Sequence, residues 1–94
     1  MFDIRINEQG DVVLSGRLDA AQTDKATEVL NKITASANVD FKDLQYISSA
    51  GLGVLLATQK RLSQSGGKLK LVNMNSHIRD VFHYARFDMI FEIQ

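Results

Sequence analysis

The 94-residue chain contains no cysteine, which excludes disulfides, thiol nucleophiles and cysteine-ligated metals. It also lacks an excess of charge of either sign, because lysine plus arginine and aspartate plus glutamate number 11 each. A nucleic acid partner is therefore disfavoured, since no basic surplus attracts a phosphate backbone. Proline-rich linkers, low-complexity tracts and long apolar runs are absent as well. Any chemistry must come from oxygen-bearing or imidazole side chains, or the protein works as a binding surface.

The composition that remains is that of an ordinary globular protein, with 45% hydrophobic and 23% charged residues. A chain of this length can build one hydrophobic core but not two, so we expect a single domain over residues 1–94. The first residues alternate between apolar and polar and lack the apolar segment of a signal peptide. This pattern favours a cytoplasmic protein.

Periodicity predicts the element order β-β-α-β-α-β-α-β. Strands are predicted from alternating or continuous apolar residues near 2–6, 12–14, 39–42, 68–72 and 89–93, the first two forming a hairpin. The first helix should follow Asp19, which begins an Asp-x-x-Gln capping box with Gln22. Its predicted apolar face is formed by Ala26, Val29, Leu30 and Ile33.

The second helix is predicted from about Ala50 to Ser65, ended by Gly66 and Gly67. Caps among residues 73–76 precede the third helix, whose predicted apolar face is Ile78, Val81, Phe82 and Ala85. Helices between successive strands indicate crossover connections that pair the inner strands in parallel. The predicted fold is thus an α/β domain with a small mixed sheet and helices over at least one face.

The most informative segment is residues 43–56, where a strand-like run meets a helix-like run at Ser48 and Ser49. Both serines are typical helix N-caps. A phosphate placed there would face unpaired backbone N–H groups and the positive end of the helix dipole. The junction could therefore accept a phosphoryl group without unfolding of the domain.

The sequence around this junction matches the known catalytic motifs poorly. A nucleophile elbow requires glycines on both sides of the serine, whereas Ile47 stands two residues before Ser49. The only imidazoles available as a base are His77 and His83, whose spacing of six suits neither a shared metal nor a catalytic pair. No Gly-Lys-Ser/Thr follows the junction, which excludes a phosphate-binding P-loop. We expect no catalytic residue, cofactor or metal.

Two glycines and one aspartate have alternative interpretations. Gly51 and Gly53 are predicted in the first helical turn, where each glycine costs up to about 1 kcal/mol relative to alanine. Either close packing of the helix on the sheet or close approach of a partner could compensate for this cost. Asp19 is either a simple helix cap or an exposed contact for a partner.

The segment from Asp43 to Leu56, with residues 15–19 upstream and 66–72 downstream, resembles the STAS domain of bacterial anti-sigma-factor antagonists. The resemblance covers nearly the whole chain. It implies a protein that binds an anti-sigma factor, itself an ATP-dependent serine kinase, and so releases the sigma factor. Phosphorylation by that kinase would end the binding, and a PP2C-type phosphatase would restore it.

Residue by residue, the resemblance places the phosphoacceptor at Ser49, with Ser48 as the alternative. It places Asp19 at an acidic loop position associated with kinase contact. The partner-binding surface is expected to comprise Asp19, Ser48, Ser49, Ala50, Gly51, Leu52 and Gly53.

The chain departs from the family pattern beside the acceptor, where Ser48 replaces an aspartate and Ala50 replaces a second serine or threonine. A further departure is Arg86, at a position where a glycine often follows the third helix. Two other functions stay open: a constitutive STAS subunit of a lipid-transport or sensory complex without a kinase, and a small hydrolase using Ser49.

Overall fold

The computed structural model describes residues 1–94 and contains five strands and three α-helices. The strands are Phe2–Ile6 (β1), Val12–Leu18 (β2), Ala37–Ile47 (β3), Leu69–Val72 (β4) and Glu92–Ile93 (β5). The helices are Thr23–Leu30 (α1), Ser49–Ser63 (α2) and Ser76–Tyr84 (α3). Short 3-10 turns occur at Ala20–Gln22 and Phe87–Met89. The predicted element order is confirmed.

The strands form one mixed sheet in the order β1-β2-β3-β4-β5. The hairpin pairs β1 with β2 in antiparallel fashion, and the other three pairs are parallel, as the crossovers predict. Right-handed crossovers between strands in sequential order place all helices on the same face. One core of 21 buried apolar residues joins that face to the helices. The other face carries mainly polar side chains at the alternate positions of β1 and β2, with Val13 as an apolar exception.

The third strand is longer than predicted, with 11 residues instead of the four at 39–42. The register between β2 and β3 explains why the sequence pattern did not predict the full length of β3. Val13 pairs with Asp40 and Ser15 pairs with Asp43, so β3 contains an extra residue at this point, and a second irregularity follows at Gly16. Because each bulge shifts the side-chain alternation, Leu44 and the residues after it do not continue the period of two.

The first helix is shorter than its apolar pattern suggests. A 3-10 turn precedes it, and it ends at Leu30, so the buried Ile33 belongs to the following connection. In the third helix Ile78 and Phe82 are fully buried, whereas Ala85 is exposed at the C-cap. The prediction of Ala85 on the apolar face is wrong, because the helix ends there and the chain turns away.

The last strand is also shorter than predicted, since only two residues pair with β4. Phe87 and Phe91 both pack on the buried Phe82, with ring centroids 6.3 and 5.8 Å from it. To place both rings there the backbone turns, and the Phe91 N–H donates to the Phe87 carbonyl at 2.9 Å. This turn leaves Met89 exposed instead of in a strand.

The second helix ends as predicted at its glycine pair. The Gly67 N–H donates to the Leu62 carbonyl and the Gly66 N–H to the Ser63 carbonyl, at 2.9 and 3.2 Å. Gly66 has a φ of +82°, the left-handed conformation that this helix termination requires. The helix amino end is therefore fixed by β3 and its carboxyl end by the glycine turn.

Candidate functional site

The carboxyl ends of β2 and β3 bring two predicted site residues to one edge of the sheet. Leu18 and Ile47 are partners in the parallel register, and the Ser48 N–H donates to the Leu18 carbonyl at 2.9 Å. Asp19 and Ser48 directly follow these two strand ends. The structure therefore joins the loop after β2 to the start of α2, although 28 residues lie between Asp19 and Ser48 in the sequence.

Ser48 is the N-cap of α2. Its backbone is extended, with φ −89° and ψ 170°, and its Oγ accepts a hydrogen bond from the Gly51 N–H at 3.2 Å. Its carbonyl accepts from the Leu52 N–H at 2.9 Å. Ser49 is the first helical residue and is exposed, and its hydroxyl takes no part in the cap. The two serines thus have different roles: Ser48 closes the helix, and Ser49 presents a hydroxyl to solvent.

The two glycines of α2 also differ. A Cβ atom on Gly51 would lie 2.8 Å from Leu18 Cγ and 3.0 Å from Ile47 Cγ1, so this glycine permits close packing on the strand ends. A Cβ on Gly53 would meet nothing within 4 Å. Gly53 lies in the second turn, not the first as predicted, and it is exposed. Packing therefore accounts for Gly51 alone.

Asp19 caps the 3-10 turn that precedes α1, since its Oδ1 accepts from the Ala21 N–H at 3.1 Å. The predicted capping box is not complete, because Gln22 forms no side-chain cap bond and is instead the N-cap residue of α1. Asp19 is partly exposed. A carboxylate is thus held in a fixed position beside the start of α2.

The two histidines lie on α3. His83 is in its last turn and pairs with Asp88, with 2.9 Å between Nδ1 and Oδ2. That turn lies toward the amino ends of the parallel strands, away from Ser49, so His83 is not placed to act as its base. His77 is exposed in the first turn of α3.

Sequence reasoning missed one pair at the same edge. Arg17 and Tyr46 are neighbours in the β2–β3 register, and the guanidinium carbon lies 4.3 Å from the ring centroid. Such a cation–π contact fixes the arginine over the ring. In the sequence, Arg17 lies two residues before Asp19 and Tyr46 lies two residues before Ser48. This spacing does not indicate a contact between Arg17 and Tyr46 until the strand register is known.

A groove of about 450 Å³ between α1 and α2 was also not predicted. On one side it is lined by Thr23, Thr27 and the C-cap residue Asn31 of α1, and on the other by small residues of α2 that begin beside Ser49, namely Ala50, Gly53 and Ala57. At the far end the Arg61 guanidinium donates to the Ile33 and Leu30 carbonyls at 2.8 and 2.9 Å. Leu52, predicted as a contact, is instead buried in the core.

Among the helices, none has the length and apolar character needed to cross a membrane.

The sequence of the chain matches a known family. The family model described as "Mlab, STAS domain" matches residues 3–92. This chain is therefore a STAS domain protein.

Two relatives show to which group of STAS domain proteins this chain belongs. BtrV of Bordetella bronchiseptica, provisionally assigned as an anti-sigma factor antagonist, is 37% identical over 87% of this chain and 70% of its own length. The anti-sigma-B factor antagonist of Bacillus subtilis is 30% identical over 97% of this chain and 87% of its own length. The chain belongs to the anti-sigma factor antagonist family, whose members are regulatory binding proteins.

Solved structures agree on the fold. The anti-sigma factor antagonist SpoIIAA from Bacillus has been solved unphosphorylated and phosphorylated, each 20% identical to this chain. The TM-scores are 0.71 and 0.70, over 100% of this chain and 87% and 91% of the respective SpoIIAA chains. The mixed α/β sheet with its three helices is thus the STAS fold, as the sequence predicts.

Proposed function

We propose that this protein is a phosphorylation-regulated anti-sigma-factor antagonist and not an enzyme. Its unphosphorylated form binds an anti-sigma factor that is also an ATP-dependent serine kinase, and so releases the sigma factor. Phosphorylation of Ser49 ends this binding, and a PP2C-type phosphatase reverses the modification. The proposal places the protein in the cytoplasm as a single STAS domain, without cofactor or metal.

The observation that carries this proposal is the division of roles between the two serines. A kinase must take the acceptor hydroxyl into its own active site, so an exposed hydroxyl is a better acceptor than one engaged in a cap. Ser49 is exposed, whereas Ser48 is half-buried and accepts from Gly51. Phosphorylation of Ser48 would add a bulky dianion at the cap itself. Ser49 is therefore the proposed acceptor and Ser48 the alternative.

The helix start also explains why a phosphate there would leave the fold intact. Phosphorylation adds about −1.5 to −2 charges and three acceptor oxygens. Negative charge at an exposed helix amino end is stabilised by about 0.3 to 1 kcal/mol. In SpoIIAA the phosphorylated and unphosphorylated forms resemble this chain equally well, which supports a switch without refolding.

Loss of binding would then arise at the interface. The surface beside Ser49 is formed by Ala50 and Gly53, which carry no charge to pair with a phosphate. Burying an unpaired charge against a partner costs several kcal/mol. Because each 1.4 kcal/mol is a tenfold change in affinity, even partial burial of the phosphate would separate the proteins.

Phosphosite mapping after incubation with the partner kinase and ATP tests the acceptor. We expect one phosphate on Ser49 in the wild type, none in Ser49→Ala, and normal phosphorylation of Ser49 in Ser48→Ala. Phosphate retained by Ser49→Ala at Ser48 would move the site by one residue. If neither serine is modified, the proposed phosphorylation switch is wrong.

A phosphomimetic variant tests whether negative charge at position 49 weakens partner binding. Ser49→Asp should weaken kinase binding at least tenfold by isothermal titration calorimetry, while its Tm stays within a few degrees of the wild type. An unchanged affinity would contradict the proposed interface. A large fall in Tm would show that Ser49 is mainly structural.

The second candidate is a constitutive STAS subunit of a lipid-transport or sensory complex, since the match to a STAS domain model does not by itself distinguish a switch from such a subunit. In that case Ser49 is an interface residue without a kinase. Co-purification distinguishes the two: a complex containing an ATPase kinase supports the switch, and a complex with transporter or receptor subunits supports the alternative.

A further inference from the structure

Three large apolar side chains are exposed together after α3. Tyr84 is 83% exposed, Met89 85% and Ile90 45%. The chain exposes two other large apolar side chains, Met1 and Ile6, and these lie at the β1 edge of the sheet, opposite β5. A single exposed apolar residue is ordinary, whereas a group of them marks an interaction surface. The segment that follows α3 therefore differs from the rest of the surface.

The packing of the turn after α3 directs these side chains outward. Phe87 and Phe91 take the inner side by packing on Phe82. On the outer side Tyr84 and Met89 line one depression of about 320 Å³. Tyrosine and methionine are both enriched in protein interfaces. The depression thus has the composition of an interface centre, and it lies away from the serine junction.

The same depression contains an arginine that the fold does not explain. Arg86 has a φ of +61° and lines the depression with Tyr84 and Met89. Glycine adopts this left-handed conformation without steric cost, whereas arginine does not. The Arg86 guanidinium is exposed and forms no ion pair within the chain. It is therefore a cation that is free to pair with a group outside the chain.

A free anion lies beside this cation. Asp80 is exposed, forms no ion pair within the chain, and precedes Tyr84 by one turn on the same side of α3. It lines a second depression with His83 and Asp88, and these two residues also line the first depression. The pair of His83 and Asp88, with 2.9 Å between Nδ1 and Oδ2, thus separates Asp80 from Arg86. The surface carries one unpaired charge of each sign, in neighbouring depressions.

This arrangement is complementary to itself. In a two-fold dimer, a residue i of one copy contacts a residue j of the other, and j contacts i in return. With the axis near the His83–Asp88 pair, Arg86 of each copy would meet Asp80 of the other, so that both free charges are paired. The remaining cation of the second depression, Arg79, already donates to the Gln94 carbonyl at 2.9 Å. Two copies do not repel each other as a whole, because the net charge of the chain is zero.

We propose that this surface is a homodimer interface, with Tyr84, Met89 and Ile90 at its centre and Arg86 of each copy paired with Asp80 of the other. The inference goes beyond the proposed switch and does not depend on it. The surface lies away from Ser49, so both acceptor serines stay accessible in the dimer. Because the apolar centre is small, the buried area should be below about 1,200 Å² in total, and the dimer should dissociate on dilution.

Sedimentation velocity of the purified chain over a series of concentrations tests the interface. The wild type should change from monomer to dimer as its concentration rises. Arg86→Asp and Asp80→Arg should each weaken the dimer at least tenfold, because each places like charges at both contacts. Both variants should keep the wild-type Tm, since aspartate tolerates the left-handed conformation and position 80 is exposed. Glu28→Arg and Lys60→Asp make the same charge changes on other helices, and they should dimerise as the wild type does.

Mixing the two charge-reversed variants tests the pairing itself. Arg86→Asp carries two anions and Asp80→Arg two cations at the paired positions, so their heterodimer has opposite charges at both contacts. The mixture should recover most of the dimer that each variant alone has lost. Tyr84→Gln and Met89→Gln remove the apolar centre and should lose the dimer in every combination.

Three results would overturn the inference: a wild type that is monomeric up to about 1 mM, a dimer that both charge reversals leave intact, or a mixture that recovers nothing. If the wild type is monomeric and Arg86→Asp weakens binding of the kinase or the phosphatase, the surface serves that partner and not a second copy. Kinase titrations report separately on the proposed function. A wild type that dimerises without binding a kinase refutes the switch alone, and a monomer that binds the kinase refutes the dimer alone.

Discussion

The two ends of α2 are held by different means. At the carboxyl end, polar side chains bond to neighbouring elements: Arg61 donates to the end of α1, and Gln59 Oε1 accepts from the Leu69 N–H at 2.8 Å. At the amino end Ser48 serves the fold by capping the helix, and Gly51 and Leu52 serve it by packing. The residues between them face outward. Residues that stabilise the fold thus alternate with the proposed contact residues at the amino end of α2, whereas the carboxyl end serves stability.

The largest effect should follow from a larger side chain at Gly51. Gly51→Val places methyl groups against Leu18 and Ile47, which already lie within about 3 Å of an added Cβ. Overpacking of this kind costs about 3 kcal/mol. Urea denaturation would measure it. The control is Gly53→Ala, which meets no atom and should stabilise the chain by about 0.5 to 1 kcal/mol. Equal effects at the two glycines would remove the distinction between packing and exposed positions.

The next largest effect concerns the carboxyl end. Arg61→Ala removes two donors from the Leu30 and Ile33 carbonyls, and we expect a loss of about 2 kcal/mol in unfolding free energy. Arg61→Lys keeps the charge but not the forked geometry, so it should recover about half of that loss. Thermal denaturation of the three proteins would measure this order. A neutral Arg61→Ala would show that the carboxyl end is held by packing alone.

A smaller loss of stability is expected when the Ser48 N-cap of α2 is removed. Ser48→Ala should lower the unfolding free energy by about 1 kcal/mol, because the Gly51 N–H loses its acceptor. Ser48→Asp supplies another acceptor and should restore it. The neighbouring Ser49→Ala should change stability by less than about 0.5 kcal/mol, as exposed substitutions usually do. If Ser49→Ala were the more destabilising variant, the assignment of the two serines would be reversed.

The smallest effect is a dependence on pH at the amino ends of β4 and β5. A hydrogen bond from Lys68, helped by the charges of Lys68 and Lys70, lowers the pKa of Glu92. A carboxylate with a lowered pKa contributes stability above its unfolded pKa and loses it as the pH falls through the folded value. The contribution therefore begins to fall below pH 4.5, the ordinary pKa of a glutamate carboxyl group, and is lost as the pH falls through the lowered pKa of Glu92. Since Glu92 is solvent-exposed, Glu92→Gln should shift the acid side of the Tm profile only slightly, without changing kinase binding.

Much of this architecture could be predicted because its signals are local. The hairpin, the helix that starts at the serine junction and the glycine stop after it depend on residues close together in sequence. The prediction failed where contacts between residues that are distant in sequence determine the backbone structure. The bulges of β3 exist only in register with β2, and the turn at Phe87 exists because two rings pack on Phe82. The candidate site residues were likewise predicted from the segment 43–56 and from Asp19, but the different structural positions of Ser48 and Ser49 were not.

By itself, the sequence determined the order of elements, the position of the serine junction before α2 and the family, because capping, periodicity and motif are properties of neighbouring residues. Only the tertiary structure decided that Ser48 is the cap and Ser49 the free hydroxyl. It also decided that Gly51 serves packing while Gly53 faces open space. The physical reason is that each of these assignments depends on how the helix start lies against Leu18 and Ile47, which is fixed only when β2 and β3 pair.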